Sequence, residues 1–159
     1  MRKNILILLL AIQSQLFAGN IKSIFWEFRD IDNAEYVSVS PFLMMLGRMF
    51  SSDEDMGIAS RIRSVKVLDL ENCSSKIKEK FCKRIANLND KDFETLVSVK
   101  DEGDDVRIMV KEHKDIIKEL VIVCGGVEDC ALIYIKGNIR PEDINKLVED
   151  ETDKIYGSK

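Results

Sequence analysis

Between residues 93 and 136 the chain runs as four strand-like segments separated by short polar breaks. The runs are 93–100, 106–112, 117–124 and 131–136. In the second, Val106, Ile108 and Val110 alternate with Arg107, Met109 and Lys111, which puts the two sets on opposite faces of a strand. The breaks are Asp101-Glu102-Gly103-Asp104-Asp105, then His113-Lys114-Asp115, then Gly125-Gly126 and the acids after it. Connections this short join antiparallel neighbours, because a parallel partner needs a crossover of about a dozen residues. The second half therefore predicts an antiparallel meander.

The first half is mixed. Ile21, Ile24, Phe25 and Phe28 fall at i, i+3, i+4 and i+7, predicting a helix over 20–30 with Trp26 off its apolar stripe. Residues 35–40 predict a strand, Val37 and Val39 alternating with Tyr36, Ser38 and Ser40. Ser40-Pro41 is a helix start, and 41–50 is apolar nearly all round, as in a helix wedged between layers. The polar, acidic stretch 51–57 predicts a loop. In 62–70, Val65 and Val67 share one face and Leu68 and Leu70 the other, which predicts a bulge or a strand covered on both sides. Ser74 or Ser75 caps a helix reaching about Leu88, with Ile77, Phe81, Ile85 and Leu88 as its stripe. A last helix opens at Pro141 with Glu142 and Asp143 in its first turn, and Ile144, Leu147 and Val148 as its apolar face. This order predicts the α+β class: a mostly antiparallel sheet of about six strands with helices packed mainly on one face. One domain is expected over 19–150, followed by a polar tail, 151–159.

The amino terminus predicts a destination. Arg2 and Lys3 precede an apolar run over 5–12, and Ala18 suits a signal peptidase, the layout of a secretory signal peptide over 1–18. A periplasmic or secreted protein is expected after cleavage near Ala18. The run is shorter than the roughly 20 residues that span a bilayer. No second long apolar segment follows, so the mature form is expected to have no transmembrane segment. The net charge is −4, and Arg2 and Lys3 leave with the signal, making the mature chain more acidic. Its bases are interleaved with acids, which argues against a nucleic-acid partner.

The chain shows no constellation for chemistry, so catalytic, cofactor-binding and metal residues are each expected to be none. The single histidine, His113, sits in a polar break and reads as a solvated turn residue. The acids of 101–105 lack the spacing of a calcium loop and read as a hairpin tip. Gly125-Gly126 is followed by none of the residues of a phosphate loop. There is no C-x-x-C pair for zinc. Four cysteines allow three pairings in an oxidising compartment. Cys124 and Cys130 flank a five-residue turn, where they either face each other across a hairpin or serve as small buried apolar residues. Cys73 and Cys82, if both on one helix, are more than two turns apart and out of bonding reach. Met44, Met45 and Met49 suit core packing or a pliable binding surface. Trp26 and Tyr36 suit an exposed patch for a partner or a partly buried rim.

Val99-Lys100, Gly103, Val106-Arg107-Ile108 and Val110-Lys111-Glu112, with Gly125-Gly126, Leu132-Ile133, Ile135 and Gly137-Asn138-Ile139, form a recognisable pattern. With the export signal it resembles domain of unknown function family 4252, small exported envelope proteins of Bacteroides-type bacteria. The resemblance spans the chain beyond the signal and implies a fold; it brings no catalytic residues. The family's placement near extracytoplasmic sigma-factor systems implies a role in envelope stress or surface regulation. Some members are lipid-anchored, whereas this chain has no acceptor cysteine after its apolar run. Arg140-Pro141 stands where an acidic residue is expected. The expected function is that of an exported envelope protein, a noncatalytic interaction or regulatory module for an envelope protein or small ligand. The alternatives are an enzyme whose site assembles only in the fold, marked by a deep pocket with perturbed titratable groups, and a small-ligand or lipid carrier using the gap under the Met-rich helix.

Overall fold

The computed structural model describes residues 20–40, 58–88, 90–101, 103–126 and 129–142. The expected signal peptide, the helix over 41–50, the loop 51–57, most of the helix from Pro141 and the tail 151–159 lie outside the described residues. The elements are α1 (Ile21–Phe28), β1 (Glu35–Val39), a 3-10 turn (Ile58–Arg61), β2 (Ile62–Asp69), α2 (Ser75–Ala86), β3 (Glu94–Asp101), β4 (Asp104–His113), β5 (Ile116–Gly125) and β6 (Cys130–Ile139). The strands form one open antiparallel sheet in the order β1-β2-β6-β5-β4-β3.

The meander is present as β3 to β6, each strand beside its sequence neighbour. Its turns are tighter than the polar breaks. His113 still pairs with Ile116, so only Lys114 and Asp115 turn the chain, with φ of 52° and 58°. Two left-handed residues in succession are what a two-residue hairpin of type I′ requires. At the other hairpin Asp101 pairs with Asp104, and Gly103 supplies φ of 110°. In β2 the register shifts between Ile62 and Ser64. The change of face read between Val67 and Leu70 is instead the strand's regular alternation, with Leu70 beyond its end.

Directly opposed residues share a face. One row runs Tyr36, Leu68, Leu132, Val123, Arg107. The next runs Lys66, Tyr134, Val121, Met109. The buried stripe of α1, Ile21, Ile24, Phe25 and Phe28, joins these rows and Phe81, Ile85 and Leu88 in one core cluster. The ring of Phe28 meets Phe81 edge-on at 5.5 Å, both fully buried, each contributing about 1.5–3 kcal/mol by leaving water. The opposite face is also apolar, through Val37, Val67, Ile133, Ile122, Ile108 and Val97.

Polar ties complete the packing. Glu27 of α1 pairs with Arg84 at 2.7 Å and Lys80 at 3.0 Å, both on α2. Burial pushes the Glu27 carboxyl up, but the two cations outweigh it and hold the group below its ordinary value. Arg107 reaches from the sheet to donate to the carbonyl of Ile85, where the negative end of the α2 dipole favours a cation. Asp105 lies 3.1 Å from the Arg107 Nε, close enough to pair but without hydrogen-bond alignment.

Candidate functional site

Trp26 departs from the apolar stripe of α1, so the helix that buries Phe25 and Phe28 turns the indole outward, 66% exposed. Arg29, three residues on, stacks over it with its guanidinium carbon 3.6 Å from the ring centroid. A tight connection then brings β1 back beside α1: Ile31 N donates to Phe28 O, Ala34 N donates to Ile31 O, and Asn33 takes the left-handed φ of 65°. This return sets Tyr36 on the core row, edge-on to Phe25 at 6.0 Å. Lys22, Phe25, Trp26, Arg29, Tyr36 and Lys66 line a cleft of about 80 Å³. The two aromatics singled out in the sequence thus share one patch, and three cations surround them. Asp30 pairs with Arg29 at 3.1 Å from outside that lining.

The third row of the same sheet face is polar. Ser64, Lys136, Glu119 and Lys111 oppose one another across β2, β6, β5 and β4. Tyr134 donates to Glu119, Lys136 lies 3.9 Å from the same carboxylate, and Lys111 pairs with Asp92 at 3.3 Å. Burial, then the hydrogen bond to Glu119 and the charges of Glu119 and Asp90, push the Tyr134 phenol far above its ordinary value. It remains a protonated donor, not a base, at neutral pH. Tyr134 and Glu119 line a cleft of about 110 Å³ with Asp90, Asp92 and Lys111. Sequence reasoning missed this row. Its signal was that Lys111, Glu119 and Lys136 interrupt otherwise apolar strands, but their alignment depends on register.

The cysteines are all free thiols. Of the two readings for Cys124 and Cys130, the contact across the hairpin is not made; Cys130 is a small buried residue and Cys124 a partly buried one. Cys124 opposes Ala131 while Cys130 opposes Gly125, so successive positions send the two sulfurs to opposite faces. Cys73 precedes α2 and turns its thiol to the carbonyl of Asp32 at 3.7 Å. His113 stands exposed at the end of β4. Among the described residues no helix is long and apolar enough to cross a membrane.

No curated protein and no solved structure matches the chain. A family model does, the one described as Domain of unknown function (DUF4252), over residues 28–147. The matched stretch holds all six strands and α2, and it begins two residues after Trp26. On that match the chain belongs to this family of domains of unknown function.

Proposed function

We propose that this chain is an exported envelope protein, a noncatalytic interaction module that grips a protein partner through the Trp26 patch. In this reading the helices gather mainly on one face of the sheet, and α1 presents Trp26 at that face's β1 edge. The observation that carries it is the exposed Trp26 with Arg29 stacked upon it, beside Tyr36. Trp, Tyr and Arg are the residues that most often dominate binding energy when a partner seals them from water. The cleft's Lys22, Arg29 and Lys66 sit in a chain of net charge −4, so the patch selects a partner surface bearing carboxylates. The basic start and apolar run before Ala18 support export.

The test is capture from envelope fractions with the wild-type chain and with Trp26→Ala and Lys66→Glu. Trp26 is mostly exposed, so its loss leaves the fold intact, which circular dichroism checks. The wild type is expected to retain one partner that Trp26→Ala binds at least about tenfold more weakly. Equal retention by the variant contradicts the assignment. Export is read separately: a shortened chain in the periplasmic or culture fraction supports it, and a full-length cytosolic chain overturns it.

A further inference from the structure

A pair of thiols that the sequence reading did not single out meets where α2 packs on the end of the β5–β6 hairpin. Cys82 on α2 and Cys130 at the start of β6 hold their sulfurs 4.0 Å apart. The same carbonyl, that of Gly126, lies 3.0 Å from the Cys130 sulfur and 3.9 Å from the Cys82 sulfur. The approach depends on Gly125. A methyl group there would run into the Ile85 side chain and touch the Cys82 sulfur at 3.6 Å, so glycine lets the helix settle onto the strand. Cys130 is 1% exposed, whereas Cys82 is half-buried and within reach of a reagent.

We propose that Cys82 and Cys130 are a disulfide site, closed by a disulfide oxidant to staple α2 to the sheet. A disulfide needs its sulfurs about 2 Å apart. Closing the remaining gap of about 2 Å is within the swing of one cysteine side chain between staggered χ1 positions. The other thiols are placed differently: Cys124 points to the opposite face, and Cys73 is turned to Asp32. The exchange balances. The Cys82 thiolate attacks one sulfur of the oxidant and forms a mixed disulfide with it while the oxidant's other sulfur leaves as a thiol. The Cys130 thiolate then attacks the Cys82 sulfur and displaces the oxidant's remaining sulfur as the second thiol. Two protons and two electrons end on the oxidant's sulfurs, now two thiols. Burial, followed by the neighbouring Cys130, raises the Cys82 thiol to about 11, so the reduced pair in the folded chain is slow to react. The bond therefore forms most readily while the chain folds in an oxidising compartment.

The experiment refolds the full chain in a reduced/oxidised glutathione buffer, alkylates free thiols and maps peptides without reduction. The expected result is a Cys82–Cys130 linked peptide lighter by two hydrogens, with Cys73 and Cys124 alkylated. The linkage closes a span of 48 residues, so the oxidised form is expected to melt roughly 10 °C above the reduced form. That difference should vanish in Cys82→Ser and in Cys130→Ser. Alkylation of both Cys82 and Cys130 under oxidant overturns the proposal. So does linkage of either to Cys73, to Cys124 or to a second molecule. Loss of the partner through Trp26→Ala leaves this result untouched, because the patch is not part of the thiol site.

Discussion

Tyr134 shows what one residue contributes once the strands are in register. Its hydroxyl is held by Glu119 and its ring, 3% exposed, lies in the core beside Phe25 at 6.3 Å. A phenol raised in the folded state favours folding below the unfolded value, about pH 10, and loses that contribution as pH climbs towards its folded value. Urea unfolding at a series of pH values is therefore expected to show wild-type stability falling above pH ~10, with up to about 1.4 kcal/mol per pH unit from this group. Tyr134→Phe should fall less steeply, while being less stable at neutral pH by about 1 kcal/mol for the lost hydrogen bond. Parallel curves would exclude the assignment. The sequence could not announce this pair, since Glu119 and Tyr134 meet only because β5 and β6 align them, and a one-residue slip would part them. Trp26 was legible, because its position off a 3.6-residue stripe needs no partner strand to be read.

At the scale of elements, local pattern went far and non-local pairing did not. The alternation in β4, and in β5 and β6 the short apolar runs bounded by turn residues, placed each strand to within a few residues. Turn lengths were read too long: His113 is polar and exposed yet still makes the last rung of its ladder. The β4–β5 turn offers a direct check. Lys114 and Asp115 both adopt left-handed φ, which costs an L-residue about 1 kcal/mol or more, while Asn-Gly takes that turn readily. Lys114→Asn combined with Asp115→Gly should raise stability by about 1 kcal/mol in chemical denaturation. A loss of stability would mean that the two-residue turn is wrongly placed. The partnership of β2 with β6 joins segments more than 60 residues apart, and no local pattern specifies it.

For the whole molecule, the proposed recognition patch lies at one end of the sheet order. β1 and β3 end the sheet, and β1 is the edge at which α1 sets down Trp26. The core rows fill the ground between α1 and α2, and the polar row of Lys111, Glu119 and Lys136 occupies the same face with its charges paired among neighbours. Among these surfaces the Trp26 patch combines an exposed indole, a stacked guanidinium and two lysines in the cleft lining. Trp26 is the chain's single tryptophan, so its emission reports on the patch alone. The decisive measurement is a fluorescence titration of the intact chain with whichever partner the proposed capture retains, run to the concentration at which the two co-elute. Sealing the indole from water predicts a saturable shift of emission to shorter wavelength, absent in Trp26→Ala. Unchanged emission from a fully bound chain would contradict the account.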